Sequence, residues 1–283
     1  MTGASLNSRN RRRFASAGRL LLPTVWAITL AVPFFYLVVI SLRTRHEFAV
    51  DPLGLTATPA WANYAEAWNR GDFLSAFVNN VIVSVVTVLG VVVVGSLAGY
   101  AIARWRGRGG NVIYVFFVFG LIVPFQLGIP MLYRIWAQIG LVDTLAGVII
   151  IHIATSLPFA IFLYAGFLLT VPHELEESAR VDGASEARTF VSIVFPLLRP
   201  ATATVVIISS ISVWNDLLVA LFFLQSAEKQ TLGKATIGLM NTFNSDVPVV
   251  FAAAVITVLP IIVLFISLQR FFISGLTQGA LRG

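Results

Sequence analysis

The feature that most constrains this chain is the run from Phe73 to Ala103, which contains no charged residue. Crossing the hydrocarbon core of a bilayer takes about 20 apolar residues in a helix that rises ~1.5 Å per residue. Inside a bilayer every backbone polar group must be satisfied within the protein, which favours helices over open strands. The small and branched residues of 81–94 would also suit a strand in water, but the length of the run decides for a helix. The run therefore predicts a transmembrane helix.

The composition extends this prediction to the whole chain. Hydrophobic residues make up 58% and charged residues 11%, whereas soluble domains carry roughly 25% charged residues. A net charge of +6 could point to nucleic acid, but the arginines are scattered between apolar stretches, as topogenic signals are. We therefore expect a bilayer and no nucleic acid as the surroundings. The absence of cysteine excludes disulfides and thiolate metal sites.

Six apolar stretches predict an all-α polytopic membrane protein with six transmembrane helices. Proline residues at 124 and 130 interrupt the third stretch, which makes it the least regular of the set. The predicted organisation is a tail at 1–19, a transmembrane domain at 20–273 and a second tail at 274–283. The stretches are 20–42, 74–103, 112–133, 144–170, 199–224 and 249–272.

The distribution of basic residues predicts the orientation. If both termini lie in the cytoplasm, 13 of the 19 lysines and arginines fall on the cytoplasmic side and 6 on the other. The arginines at 11–13 before an apolar run resemble a twin-arginine export signal. The run that follows is longer than the 7–15 residues of a signal peptide, however, so we interpret it as an uncleaved first span.

A charged island at 171–198 separates the fourth and fifth apolar stretches. Pro172 suits a first helical turn, and the glutamates after it complement the helix dipole. Gly183 suits the left-handed residue that follows a helix, and Ser185 suits the cap of a second helix. That helix would carry an apolar stripe formed by Phe190, Ile193 and Val194. The residues by themselves leave two readings open, a solvated amphipathic connector at the interface or a docking surface.

The same island carries a spacing that resembles a known motif. Glu177, Ala179, Gly183, Ile193 and Pro196 fall at Glu-x-Ala-x3-Gly-x9-Ile-x-x-Pro. This pattern resembles the cytoplasmic "EAA" loop of bacterial ABC-importer permeases, which docks on a separate ATPase subunit. Ser178 replaces the usual first alanine, and Phe195 stands where leucine is common.

The resemblance to carbohydrate-type permeases, and to the smaller maltose-type permease in particular, continues beyond the loop. It covers Asn79 with Ser84, the segment 99–104, the Trp-Asn-acidic element at 214–216 and the closing segments 269–272 and 275–280. Arg282 stands where the family's tail commonly has lysine. The resemblance implies a type I ABC-importer permease in a bacterial inner membrane. Its implied partners are a second homologous permease, two ATP-binding subunits and an extracellular solute-binding protein.

In such an importer the 171–198 loop is a coupling helix that seats in a cleft of the ATPase. The resemblance implies that Gly183 makes the turn, that Glu177 and Asp182 meet polar or basic groups, and that Ala179 and Ala184 allow close approach. The chain has no phosphate-binding loop of its own, since Gly233-Lys234 lacks both the upstream glycine and the following Ser or Thr. We therefore expect no cofactor, no metal and no enzymatic activity on this chain, with ATP and Mg used by the partner subunit.

The candidate substrate pathway rests on polar residues within the apolar stretches. Asp216 is the acidic residue well inside a predicted span, about 25 Å beyond Arg199 at ~1.5 Å per residue. Together with Trp214 and Asn215 it offers a ring face, an amide and a carboxylate, a combination that binds sugars. The alternative is that Asp216 completes the inner packing through a hydrogen bond to a neighbouring helix, or extends to the membrane interface. Gln126 lies between two prolines, where a broken helix lines a cavity or merely bends. We interpret His152 as a buried hydrogen-bonded residue.

Two other classes of protein compete with the importer. A secondary transporter driven by protons or sodium would use Asp216 and His152 as an ion relay, but no internal repeat is evident. A membrane scaffold would leave the 171–198 loop without a mechanical role. Within the importer reading the substrate ranges from sugars and polyols to glycerol-phosphate compounds. Since no lysine or arginine lies deep in a predicted span, a neutral sugar or polyol is favoured.

Overall fold

The computed structural model of the chain describes residues 5–56, 58–105, 107–242 and 246–280, with side chains described for 22–56, 58–105, 107–240 and 246–267. These residues form α-helices joined by short 3-10 and π segments, and no strand occurs among them, which confirms the all-α prediction. The α-helices are α1 (Ser5–Ser41), α2 (Arg45–Val50), α3 (Ala62–Arg70), α4 (Phe73–Arg104), α5 (Arg108–Gly120), α6 (Ile129–Gln138), α7 (Leu145–Leu168), α8 (Glu174–Val181), α9 (Glu186–Thr189), α10 (Phe195–Leu197), α11 (Arg199–Trp214), α12 (Leu218–Phe223), α13 (Leu232–Thr242) and α14 (Val247–Ala280).

The described residues form two compact units, one within Met1–Arg70 and Leu239–Ile256 and the other within Gly71–Gly238 and Thr257–Gly283. In the first unit the amide of Asn63 donates hydrogen bonds to the carbonyls of Ser41 and Arg43, at 2.9 and 2.8 Å. These bonds hold the start of α3 against the end of α1. The second unit contains both candidate sites.

Four of the six predicted spans are confirmed as single helices that are long and apolar enough to cross a membrane. They are Leu22–Ser41 within α1, Phe73–Arg104, Leu145–Leu168 and Val247–Ser267 within α14. Two bent helix pairs meet the same criteria of length and composition when each is taken as one span, which raises the number to six in the described part of the chain.

The third apolar stretch, predicted at 112–133 with an interruption at its two prolines, is a bent pair of helices. Helix α5 ends at Gly120, a 3-10 turn follows at Phe125–Gly128, and α6 then runs to Gln138, with a bend of 86° between the two parts. Pro124 lies in the break, and proline cannot continue a helix because it lacks a backbone N–H and disfavours helical geometry in the residue before it. Pro130 stands in the first turn of α6, where a helix tolerates proline.

The fifth predicted span, at 199–224, is wrong in its extent. Helix α11 ends at Trp214, and α12 is a separate helix that begins at Leu218. The bent pair that contains α11 instead extends backwards to Glu186–Leu197, with a bend of 75°. An apolar run alone does not reveal this break, because the residues on both sides of it are equally hydrophobic.

Helices α4 and α7 pack closely at Gly95 and Gly99, which stand four residues apart on α4. A Cβ atom added at Gly95 would lie 2.8 Å from the Cβ of Ala160, and one added at Gly99 would lie 2.7 Å from the Cβ of Tyr164. Real Cβ atoms do not approach other heavy atoms this closely, so both positions require glycine or a shift of the helices. Small residues of this kind allow transmembrane helices to approach each other.

Asp143 connects the start of α7 to the segment that follows α12. Its carboxylate accepts hydrogen bonds from the backbone N–H groups of Gln225 and Ser226, at 2.8 and 3.0 Å, and from the Ser226 hydroxyl. Lys229 lies 3.3 Å from the same carboxylate. The bonds donated by Ser226, with those from Gln225 and Lys229, lower the pKa of the Asp143 carboxyl below its ordinary value.

The two predicted tails, 1–19 and 274–283, include the first residues of α1 and the last residues of α14. Helix α1 begins at Ser5 and α14 continues to Ala280. The predicted tail residues 1–4 and 281–283 lie outside the described residues. Two of the basic residues used for the orientation, Arg106 and Arg282, lie outside them as well.

Candidate functional site

The island at 171–198 folds into two short helical pieces joined by a tight turn, as its residues predict. Helix α8 has three glutamates in its first turn, and Gly183 follows its end with φ of +81°. The N–H of Ala184 donates to the carbonyl of Ala179 at 2.9 Å, and the N–H of Gly183 donates to the carbonyl of Arg180 at 3.1 Å. This pair of bonds is a Schellman motif, which satisfies the last carbonyls of the helix. Gly183 thus has the left-handed conformation expected of the residue that follows a helix, whereas its part in coupling stays a prediction.

The second helical piece begins at a serine cap and reaches the start of α11. The Ser185 hydroxyl accepts a hydrogen bond from the N–H of Arg188 at 3.3 Å. A π-helical turn at Phe190–Val194 and α10 follow it. Phe190 and Val194 are buried, whereas Ile193 is half-buried. The piece is thus anchored by its apolar side and leaves its polar side exposed.

The predicted coupling residues divide between exposed and packed positions. Ala179 is buried, and its neighbour Val181 is 87% exposed. An exposed apolar side chain beside charged residues is suited to contact with another protein. Four of the predicted residues are exposed, Glu177, Ser178, Asp182 and Gly183, and three are half-buried, Ala184, Ile193 and Pro196.

A buried ion pair, which no sequence pattern predicts, attaches this island to the end of α4. Arg104 Nη2 and Nε lie 2.6 and 2.8 Å from Glu176 Oε1, and the Tyr100 hydroxyl donates to Glu176 Oε2 at 2.9 Å. Glu176 is only 5% exposed. In the sequence Arg104 is interpreted as a topogenic charge and Glu176 as a helix-dipole charge. No pattern in the sequence indicates that residues 72 positions apart meet.

A polar cavity of about 270 Å³ lies in the second unit, where the broken third span meets α7 and α11. It brings together Gln126 and Asp216 from the predicted pathway and His152, which the sequence reasoning assigns to packing. Aromatic rings of Phe125 and Phe159 also line it. The remaining polar lining consists of hydroxyl groups, those of Thr155, Ser156, Ser209 and Ser212.

Asp216 lies in the break after α11, so the prediction that it lies well inside a span is wrong. Its Oδ2 accepts hydrogen bonds from the N–H groups of Val219 and Ala220, at 3.0 and 3.4 Å. These bonds satisfy two N–H groups in the first turn of α12 and so cap its N-terminus. The same oxygen lies 3.7 Å from His152 Nε2, and His152 is 7% exposed. The cavity thus contains a buried imidazole beside a carboxylate.

Trp214 and Asn215 do not line this cavity. The indole of Trp214 donates to the carbonyl of Thr257 at 3.1 Å, and its ring lies edge-on to Phe77 with ring centroids 6.1 Å apart. The amide of Asn215 donates back to the carbonyl of Ile211 at 2.9 Å. The structure therefore separates the predicted group of three, because the helix ends at Trp214 and the residues after it point in different directions.

No group of three or more His, Asp or Glu side chains in the described part of the chain is arranged to hold a metal ion. The groups that the two sites offer are hydrogen-bond donors and acceptors and a few charges. They can recognise another molecule by its polar groups or transmit movement between elements.

Comparison with known proteins identifies a family model that matches residues 91–278 and is described as "Binding-protein-dependent transport system inner membrane component". The chain is 37% identical to a Bacillus subtilis melibiose/raffinose/stachyose import permease, over 93% of this chain and 95% of that protein. It is 31% identical to a diacetylchitobiose uptake permease of Streptomyces coelicolor, over 96% of this chain and 90% of that protein.

Two solved structures share the fold. One is a bacterial ABC transporter involved in alginate import, with a TM-score of 0.77 and 23% identity, covering 93% of this chain and 98% of that one. The other is a bacterial alginate ABC transporter in complex with a periplasmic protein that carries an alginate pentasaccharide, with a TM-score of 0.67 and 16% identity over 93% and 95%.

Proposed function

This chain belongs to the family of inner membrane components of binding-protein-dependent transport systems, and from that premise we propose that it imports a sugar or related polyol. It forms the translocation pathway together with a second, homologous permease. Energy comes from two separate ATP-binding subunits, which use ATP and Mg, and an extracellular solute-binding protein delivers the substrate. The chain itself is not an enzyme and carries no cofactor.

The substrate class is supported by the relatives and by the cavity. Relatives are named for melibiose, raffinose and stachyose, for diacetylchitobiose and for arabinooligosaccharides. The residues that line the cavity offer hydroxyl, amide, imidazole and carboxylate groups but include no lysine or arginine. A phosphorylated substrate would favour cations there, so this lining supports a neutral sugar over a glycerol-phosphate compound.

Within the pathway, Gln126 and Asp216 contact the substrate and His152 joins them. Asp216 already uses one oxygen to cap α12, which leaves the other oxygen to accept a hydrogen bond from a sugar hydroxyl. Trp214 and Asn215 act indirectly, because their bonds to Thr257 and Ile211 hold the end of α11 and thereby orient Asp216.

The island at 171–198 is the coupling loop, which docks on the ATP-binding subunit. The observation that carries this proposal is an ordered loop that exposes Glu177, Ser178 and Asp182 beside the apolar Val181. A connector that served only as a surface anchor would turn its apolar residues inwards. Gly183 makes the turn, whereas Ala179, Ala184, Ile193 and Pro196 pack beneath the exposed surface.

The orientation follows from the basic residues. The chain is a multi-pass protein of the bacterial inner membrane, with both termini in the cytoplasm. The coupling loop then faces the ATP-binding subunits. The segment 43–72 then lies on the opposite side. Its amphipathic helix α3, with Tyr64 and Trp68, lies at the membrane interface together with Trp61, which precedes it, and contributes to docking of the binding protein.

Mass spectrometry of the material that co-purifies with the tagged chain, gently solubilised at native expression, tests the proposal. We expect a second permease and an ATP-binding subunit, and sugar-stimulated ATP hydrolysis in the purified complex. A homo-oligomer without an ATP-binding subunit, under conditions in which a known importer stays intact, would contradict the proposal and favour an ion-coupled transporter.

A further inference from the structure

Arg104, Tyr100 and Glu176 form a junction between three helical elements, hereafter the Arg104 junction. Tyr100 and Arg104 belong to the last turns of α4, and Glu176 belongs to the first turn of α8. Arg104 also donates hydrogen bonds to the backbone carbonyls of Leu168 and Val171, each at 3.3 Å, at the end of α7. One guanidinium thus binds α4, the end of α7 and the coupling loop to each other.

The chemistry of the junction makes it rigid. Arginine presents five donors in a planar fork, and here they reach a carboxylate and two carbonyls. Both carboxylate oxygens of Glu176 are used, one by Arg104 and the other by Tyr100. Because Glu176 is buried, removal of either charge leaves the other charge unpaired and away from water. Any rearrangement that separates the two charges is therefore costly.

Helices α4 and α7 are themselves joined closely just beyond the junction. The contacts at Gly95 and Gly99 leave no room for a Cβ atom, so neither helix can slide past the other without steric overlap. A packed interface of this kind transmits a displacement instead of absorbing it. The Arg104 junction therefore attaches the coupling loop to a closely packed pair of helices.

The other end of the island has a different attachment. It leads into α11 through a π-helical turn, the short α10 and a bend of 75° at Leu198. A π-turn and a bend interrupt the regular helical hydrogen bonds, and they are where a helix changes direction. The loop thus has one firm connection, to α4 and α7, and one bent connection, to α11.

We propose that Arg104, Tyr100 and Glu176 are positioning residues that make α8 move as one body with α4 and α7. Movement of the loop by the ATP-binding subunit is then delivered to that helix pair, and the bend at Leu198 takes up the difference. The inference rests on the proposed function, since it assigns the route by which the coupling loop acts.

The test is the ratio of sugar transported to ATP hydrolysed by the complete importer in proteoliposomes. Arg104→Gln and Glu176→Gln should keep the assembled complex and its ATP hydrolysis but lower this ratio several-fold. Matched controls are Arg108→Gln, an exposed arginine close to Arg104 in the chain, and Glu228→Gln, an exposed glutamate outside the coupling loop. Both controls should leave the ratio unchanged.

A ratio that stays at the wild-type value in both junction variants would overturn the inference. So would a proportional loss of transport and hydrolysis, which indicates a merely structural role. Either result is obtained in an importer that contains its ATP-binding subunits, so it differs from failure of the proposed function, in which no such subunit co-purifies.

A distance measurement avoids any change to the junction. The chain has no cysteine, so spin labels can be placed at Leu89→Cys on the exposed side of α4 and at Glu174→Cys in α8. We expect the distance between the two labels to be the same in the nucleotide-free and ATP-bound importer. A shift of that distance between the two states would contradict the rigid attachment.

Discussion

At the scale of the residue, Gly183 has a backbone conformation that other residues rarely adopt. Its φ of +81° would strain a β-branched residue by about 1–2 kcal/mol, a factor of roughly 5–30 in a conformational equilibrium. No side chain lies within 4 Å of a Cβ atom added there, so the strain comes from the backbone alone. We expect Gly183→Val to lose most sugar uptake while expression and membrane insertion stay normal.

The measurement for Gly183→Val is uptake of labelled sugar by cells together with immunoblotting of the membrane fraction. Gly183→Asn is the matched control, since asparagine tolerates the left-handed region better than other residues do. It should retain more uptake than the valine variant. Unchanged uptake in Gly183→Val would contradict the assigned role of the turn.

Asp216 combines a structural role with a proposed role in the pathway, and two substitutions separate them. Asp216→Asn keeps an oxygen that caps α12 but removes the charge, whereas Asp216→Ala removes both. Loss of such a cap costs about 1 kcal/mol. We therefore expect a lower melting temperature only for Asp216→Ala, and a reduced uptake for both variants. Wild-type uptake by Asp216→Asn would exclude the charge from the pathway.

At the scale of the element, the contact between α4 and α7 depends on Gly99. A Cβ atom there would lie 2.7 Å from Tyr164 Cβ and 3.2 Å from the backbone nitrogen of Ala165. Gly99→Ala should therefore lower the melting temperature of the solubilised protein. Gly166→Ala on α7 is the control, because a Cβ atom there meets nothing within 4 Å and alanine favours a helix by about 1 kcal/mol over glycine.

The segment after α12 depends on the ionised form of Asp143, which gives stability a pH dependence. The pKa of this carboxyl is lower in the folded state than in the unfolded state, chiefly because of the bonds from Ser226. Its contribution is thus fully present above the ordinary pKa of about 4 and is lost as the pH falls through the folded pKa below that value. Thermal unfolding of Asp143→Asn should show a deficit at neutral pH that shrinks below about pH 4.

The control for Asp143→Asn is a second aspartate that lacks the hydrogen-bond partners of Asp143. Asp182→Asn serves this purpose, because Asp182 is exposed at the end of α8. Its melting temperature should follow that of the wild type at each pH. A deficit in Asp143→Asn that stays constant down to pH 3 would show that ionisation of this carboxyl is not the source of its stabilisation.

At the scale of the whole molecule, the proposed orientation predicts which segments react from which side. Because the chain has no native cysteine, single substitutions such as Val181→Cys in the coupling loop and Leu53→Cys in the segment 43–72 are unambiguous. Both native side chains are highly exposed. A membrane-impermeant maleimide should label Leu53→Cys in intact spheroplasts and Val181→Cys only after the membrane is opened. The reverse pattern would invert the topology.

The sequence by itself determined the class of protein, four of the spans and the internal form of the 171–198 island. Each of these depends on neighbours along the chain: the length of an apolar run, a proline before acidic residues, a glycine after a helix. Family membership was likewise predicted from the motif spacing and is confirmed by the family match.

Only the tertiary structure decided where the spans break and which distant side chains meet. The end of α11 at Trp214 is invisible in an apolar run, because hydrophobicity does not report the cap that Asp216 supplies to the next helix. The pairing of Arg104 with Glu176, and of His152 with Asp216, depends on which helices pack together. Local patterns determine local structure, whereas a buried ion pair needs two residues that the chain brings together only when it folds.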